Sequence, residues 1–386
     1  MPAQSAPNCE DVRDRIEQLA NLMRPQIAER QRRRTLDPSD FDRLRDTGFF
    51  LTGVPAQQGG LWRGLQASVR DYAGLINCLA KGDPAVALVA AMHPIVLISW
   101  LGTETAPDDY AKAWSEQRAF CFQSAKEGRM WGTITSEPGS GGDIMKTVTR
   151  AEACDGGGWR LSGDKHFGSG SGMSDFMITT AKPDGAAAPN IFFMDMRDQP
   201  WDGSTGMTLL AEWDGHGMAA TQSHAFRFKN YPAQSLAWPG AVPASMAQST
   251  QLGACLFSAV IVAVVQEAIA FARTRLKAKA HEMRAYERVE WTKIVNQAWT
   301  IDQLFEAMIS AVERDDHGTV ACLRGKAVIA ETAENCLTLL SRVVGGASFS
   351  RQAPYGQWAQ DVRALGFLRP PWGLAYDQLF DLSWDH

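Results

Sequence analysis

The chain has 386 residues, 45% of them hydrophobic, and a formal net charge of -5. That length is ample for a core divided over two or three domains. With charges of both signs interspersed and no basic patch, nucleic acid is not an expected partner. No apolar run reaches the about 18 residues that would span a bilayer, and residues 1–15 lack the basic-then-apolar order of a signal peptide. No membrane is expected, and CLFSAVIVAVV (255–265) reads as a buried helix. Seven cysteines are scattered without a CxxC or a metal-like pairing with histidine, the usage expected of reduced thiols in a cytoplasmic protein without a metal.

Residues 10–118 read as helical. Val12, Ile16, Leu19, Met23 and Ile27 recur at helical spacing. Asp37-Pro38 opens a further helix and Gly48 closes it. GVPAQQGG (53–60) is a loop, and residues 70–102 carry Ala/Leu/Val-rich helical runs. From about residue 119 the texture changes: AFCFQ, MKTVTRAEA, WRLSG, DFMITTA, NIFFMDM and HAFRFKN are short β-rich segments between turn clusters such as DGGG (155–158) and PDGAAAPN (183–190). Such spacing implies an antiparallel barrel or sandwich. After about residue 244 three long helical patterns return, as in a bundle.

Within the β-rich part lies GTITSEPGSGGD (132–143), four glycines and a proline among four hydroxyl side chains and two carboxylates. The glycines permit left-handed backbone and close approach to a ligand. TSEPGSGGD (135–143) resembles the flavin loop of the acyl-CoA dehydrogenase superfamily. GDKHFGSGSG (163–172), WDGHGMAATQSHAFRF (213–228), VVGGASF (343–349) with QDVRA (360–364), and GFFLTGVPAQQGG (48–60) resemble further segments of that family, in the same order along nearly the whole chain. The resemblance implies an α+β multidomain fold: an N-terminal α-helical domain (1–118), a middle antiparallel β-barrel (119–235) and a C-terminal α-helical bundle (236–386).

It also implies a flavin, FAD first and FMN second. Thr133, Thr135 and Ser136 match the positions whose backbone N–H groups and hydroxyls hold the pyrimidine edge of the ring, where donors stabilise the charge of reduction. Phe167 takes the family's tryptophan position and Ser169 its threonine, with Gly168 between them. Arg275 falls where the family places an arginine for the FAD pyrophosphate, although Leu276-Lys277 replaces the usual Phe-Gly. Gly345-Gly346 would cover the cofactor from a neighbouring subunit of a homodimer or homotetramer, or serve as a helix cap. Ser140 and Gly142 are the substrate-side positions of the loop; Gly142 stands where the family has serine, and Ala219 where it has arginine.

The catalytic carboxylate is missing. The position of the family's base is Arg369, and SMAQSTQLG (245–253), the other usual location, has no acid. An arginine cannot take a proton but can bind a carboxylate or oxyanion. His93, in VAAMHPIVLISW, is the candidate replacement base, since flavin monooxygenases of this fold often carry a histidine in this helix and a KHF-x-SG segment like KHFGSG here. Three functions follow: an FAD-dependent oxidoreductase of acyl-CoA dehydrogenase type acting on a CoA thioester, with O2 or an electron-transfer protein as acceptor; a reduced-flavin monooxygenase acting on a small aromatic, sulfur or amine substrate; and a non-catalytic flavin-binding scaffold.

Overall fold

The structure, a computed structural model, describes residues 8–155, 157–368 and 370–384. Six helices come first: α1 (Cys9–Met23), α2 (Ile27–Arg30), α3 (Pro38–Thr47), α4 (Leu65–Ala80), α5 (Pro84–Leu101) and α6 (Asp108–Lys126). Seven strands follow: β1 (Trp131–Thr133), β2 (Arg150–Ala153), β3 (Trp159–Gly168), β4 (Phe176–Pro183), β5 (Asn190–Asp195), β6 (Met207–Ala211) and β7 (His224–Ser235). Five helices end the chain: α7 (Ala241–Leu276), α8 (Ala285–Glu313), α9 (Gly318–Val344), α10 (Tyr355–Gly366) and α11 (Trp372–Leu382).

The helix signals act as their chemistry dictates. Asp37 caps α3 through the N–H of Ser39, Pro38 takes the first helical position and Gly48 ends it at φ 86°. Val12, Ile16, Leu19 and Met23 form the buried face of α1. Beside it, Arg30 is buried and clamps Asp40 at 2.7 and 2.8 Å and Asp83 at 2.9 Å, tying α2 to α3 and to the N-terminus of α5. The first and last helices are not separate bodies: α4, α5, α7 and α9 contribute to one continuous core. Among the described residues, two helices are long and apolar enough to cross a membrane, but 89% of the apolar window of α5 and 78% of that beginning in α7 is buried inside the protein, as in core helices.

Strands β4, β2, β3, β7 and β5 pair in that order, and β5 returns to β4, which closes a barrel. β1 extends it from β4 and β6 from β7. The pairings β1–β4 and β2–β4 are parallel, so the barrel is not purely antiparallel. Its interior, with Ile134, Leu161, Phe192, Phe226 and Phe228, is distinct from the helical core. Residues 119–126, expected in the β-rich part, instead complete α6. Trp114, Cys121 and Ala125 fall at helical spacing and form its buried face, so an apolar run that resembles a strand is the inner stripe of a helix.

His93 joins three elements. Its Nδ1 accepts the N–H of Trp131 at 3.1 Å, which assigns the proton to Nε2, 2.9 Å from the Phe50 carbonyl that accepts it. The ring is wholly buried, and burial lowers its pKa to about 4. Gly53 makes room for it: a Cβ there would lie 2.5 Å from His93 Nε2. A neutral His93 in the fold and a protonated one in the unfolded chain make stability fall as pH drops from about 6.5 toward 4. His93→Leu should cost about 2–5 kcal/mol, from two buried backbone groups left without partners. Denaturant melts at pH 5 and pH 7.5 should also show less acid sensitivity in the variant than in the parent.

Candidate functional site

A cavity of about 370 Å³ opens where the barrel meets the helices. Leu88 and Met92 of α5, Phe257 of α7 and Ala364, Phe367 and Leu368 at the end of α10 form its apolar side. Thr133, Thr135, Ser136, Phe167, Ser169, Thr221 and Ser223 form the hydroxyl-rich side, with Trp213 and Met218 between. The volume lies within the range of small-molecule sites.

The hydroxyl-rich wall begins where β1 runs out. The Ile134 N–H still bonds to Ile178, and the Thr179 hydroxyl donates to the Ile134 carbonyl at 2.6 Å. The chain then crosses to β3, where the His166 N–H donates to the Ser136 carbonyl at 2.8 Å. The hydroxyls of Thr133 and Thr135 bond to no other described residue. Below them the Lys165 ammonium, fully buried, lies 2.5 Å from Glu137 and donates to the Thr180 carbonyl at 2.6 Å and the Thr147 hydroxyl at 3.0 Å. Glu137 also accepts the Val148 N–H at 2.6 Å, the Thr149 N–H and the Thr147 hydroxyl. Burial alone would raise its pKa; Lys165 and these donors overcome burial and hold it at about 2.

Phe167 sits on a bulge of β3 with φ 59° and is 57% exposed. A large aromatic in the left-handed region is uncommon and marks stored strain. Its ring meets Trp213 edge to face at 5.9 Å. Trp213 is held at both ends: its N–H donates to His224 Nδ1 at 2.8 Å and its indole N–H to the Met218 carbonyl at 2.9 Å. Met218 is left-handed as well, at φ 50°, and its N–H donates to Asp361 of α10 at 2.6 Å. Asp361 also accepts from Gln357. Burial pushes its pKa up to about 7, against these two donors. Behind the Phe367–Leu368 wall, Lys326 of α9 donates to the carbonyls of Gly366, Leu368 and Pro370 at 3.2, 2.6 and 3.1 Å. Burial draws its pKa down to about 8.

Thr133, Thr135, Ser136, Phe167 and Ser169, assigned above to a flavin, thus share one cavity. Gly168 backs them: a Cβ there would come 2.7 Å from Ile134. Ser140 turns away from the cavity, its hydroxyl donating to the Glu137 carbonyl at 2.9 Å and accepting the Gly142 N–H. Gly142, at φ 85°, lies against Pro371, and a Cβ would sit 2.8 Å from that ring, which explains the loss of the serine. His93 does not face the cavity; both its nitrogens serve backbone groups. Arg275 is exposed on α7 with its guanidinium over Phe271 at 4.5 Å, remote from the lining. Gly345 ends α9 at φ 76°, as a cap would, and neither it nor Gly346 lines the cavity. Arg369 lies outside the described residues. Ala219 faces a second cavity of about 30 Å³ beside Arg30, Arg33 and Asp361. Trp213, Thr221 and Ser223 lay inside a quoted segment without a role, while Phe257 and Lys326 carried no signal a single sequence reveals.

Two substitutions test this framework. Glu137→Gln should destabilise the protein by about 3–5 kcal/mol at neutral pH, because Lys165 would keep a buried charge without its carboxylate. The parent's contribution from this pair is present above about pH 4.5 and fades toward pH 2, so urea midpoints of parent and variant should converge in acid. Asp361 has the opposite sign. Its folded pKa is raised, so its contribution is present below about pH 4 and is lost as pH climbs to about 7. Asp361→Asn keeps an acceptor for Met218 and should gain on the parent by up to about 4 kcal/mol between pH 4 and 8, read from the same melts.

Residues 132–231 match the acyl-CoA dehydrogenase middle-domain family. The amino sugar nitrososynthase DnmZ of Streptomyces peucetius is 24% identical over 382 residues, covering 92% of this chain and 88% of the relative. The structure of KijD3 in complex with FMN and dTDP-3-amino-2,3,6-trideoxy-4-keto-3-methyl-D-glucose superposes with a TM-score of 0.81 at 20% identity, over 99% of this chain and 94% of that one. Butyryl-CoA dehydrogenase of Megasphaera elsdenii superposes at 0.80 with 18% identity, over 97% of both chains. Residues 132–231 thus match the acyl-CoA dehydrogenase middle domain, and the chain as a whole shares the fold of these structures, with helices from both ends packed in one core.

Proposed function

We propose that this chain is a reduced-flavin-dependent monooxygenase that oxygenates a nucleophilic nitrogen or sulfur atom of a small-molecule substrate. The observation that carries it is the chemistry of the cavity: none of its 15 described lining residues is Asp, Glu, His, Lys or Arg. Dehydrogenation of an acyl-CoA thioester begins with removal of a weakly acidic α-proton by a placed base. A heteroatom lone pair needs no such base.

The residues present fit a flavin, FMN or FAD. Thr133 and Thr135 carry hydroxyls with no other described partner, Phe167 offers an uncovered ring, and Ser169 places a hydroxyl beside it. These groups would hold the pyrimidine edge, one face and the central ring of the cofactor. Bound in its reduced form, a flavin supplies two electrons and two protons to O2, so that one oxygen atom goes to the substrate and the other leaves as water. Phe257, Met92, Leu88, Phe367 and Leu368 provide a dry apolar chamber for the substrate. Lys326 holds the Phe367–Leu368 wall by its backbone. DnmZ is named for an amino sugar and KijD3 was solved with an amino-sugar nucleotide and FMN, which supports nitrogen as the oxygenated atom.

The test supplies the purified chain with reduced FMN, labelled dioxygen and a panel of amines, amino-sugar nucleotides and thioethers. Mass spectrometry should find one labelled oxygen in a product only when reduced flavin is present. Bleaching of bound flavin by an acyl-CoA without added reductant, with no oxygen incorporated, would overturn the proposal in favour of thioester dehydrogenation. A chain that binds no flavin would overturn both.

A further inference from the structure

Three hydroxyls on the cavity wall form a continuous chain. Ser169 Oγ lies 2.7 Å from Ser223 Oγ, Ser223 Oγ lies 2.7 Å from Thr221 Oγ1, and Thr221 Oγ1 lies 2.8 Å from the Met218 carbonyl. All three side chains are buried, and all three residues line the cavity. A hydroxyl donates one hydrogen bond and accepts others, so the chain has two self-consistent polarities. In one, Ser169 donates to Ser223, Ser223 to Thr221, and Thr221 to the Met218 carbonyl; Ser169 then offers only lone pairs to the cavity. In the other, Thr221 donates to Ser223, Ser223 to Ser169, and Ser169 points its proton into the cavity.

The far end makes reversal cheap. The Met218 carbonyl also accepts the Trp213 indole N–H at 2.9 Å and the Thr221 N–H at 3.1 Å. When Thr221 turns away, that oxygen keeps two donors, so neither polarity leaves a buried group unpaired. The left-handed turn at Met218, held by Asp361, brings these donors together on one carbonyl.

We infer that Ser169, Ser223 and Thr221 act as a reversible hydrogen-bond chain that presents a donor to an oxidised flavin and an acceptor to a reduced one. The inference rests on the flavin reading above. The N5 atom of oxidised flavin only accepts a hydrogen bond, whereas reduced N5 carries a hydrogen and donates. A fixed donor would favour the oxidised form alone. The chain serves both by turning three O–H bonds, with no net proton transfer and no change in its own protonation. Ser223 and Thr221 are thereby positioning residues, acting through Ser169.

Breaking the chain should penalise one redox state. In Ser223→Ala, Ser169 accepting from reduced flavin would have a buried O–H without an acceptor; in Thr221→Val, Ser223 would. Either loss should weaken reduced relative to oxidised flavin by about tenfold, equivalent to about 30 mV lower midpoint potential for a two-electron couple. Thr221→Ser, which keeps the hydroxyl, should leave the potential at the parental value. The experiment titrates FMN into parent and variant proteins by fluorescence and determines the potential of bound FMN against a reference dye. Equal weakening of both redox states, an unchanged potential, or a potential raised in Ser223→Ala and Thr221→Val would overturn the inference while leaving the flavin site in place. Failure of the parent to bind FMN or FAD would instead remove the flavin reading itself.

Discussion

The cavity owes its polar wall to one buried ion pair. Lys165 comes from β3 and Glu137 from the segment leaving β1, and the two meet in a pocket with almost no solvent exposure. The pair is retained because every remaining valence is used: Lys165 also reaches Thr147 and the Thr180 carbonyl, and Glu137 takes two backbone N–H groups and a hydroxyl. The consequence is mechanical. A stretch rich in glycine has little side-chain packing of its own, yet its two ends are pinned to the barrel, at Ser136 by β3 and at Val148–Thr149 by Glu137. Thr133 and Thr135 can then face the cavity instead of satisfying each other.

The rest of the wall is shaped by backbone strain. Phe167 and Met218 both occupy the left-handed region, at a cost on the order of 1–3 kcal/mol each. The first turns an aromatic ring out of the barrel and into the opening. The second gathers Trp213, Thr221 and, through its own N–H, Asp361 around one residue. α10 is thus coupled to the barrel rim through a carboxyl group, and through Lys326 its C-terminal end is coupled to α9. The site has hydrogen-bonding power in hydroxyls and peptide groups and no ionisable side chain among its described lining residues. That combination suits a planar neutral ring and an uncharged reacting atom better than it suits proton abstraction.

Local signals served well where the cause is local. The Asp37-Pro38 start and Gly48 stop of α3 involve only neighbouring residues, and so does the helical stripe of α1. The segments 132–143 and 163–172 located five residues that do share a cavity, because the extension of β1 bridges to β3 at Ser136 and His166, beside the Phe167 bulge. Residues 119–126 misled because AFCFQ has the composition of a strand, and only the spacing to Trp114 reveals the helix. His93 misled for a different reason. An imidazole in an apolar helix reads the same whether it meets substrate or a pair of backbone groups, and here Phe50 and Trp131 take both nitrogens. Arg275 reads as a phosphate ligand by position along the chain and stands on the surface against Phe271.

The order of helices, short strands and helices and the glycine-lined loop were determined by the sequence alone, since each follows from periodicity or turn chemistry, while the barrel and the missing carboxylate were what the family resemblance implied. Tertiary structure decided which groups face one another. Phe257 and Leu368 meet Thr133 across a cavity only because helices from both ends of the chain pack into one core. Ser169, Ser223 and Thr221 become one hydrogen-bonded chain only because β3 pairs with β7. Burial and pairing between residues distant in the chain set the pKa of Glu137 and Asp361, and no local pattern encodes them.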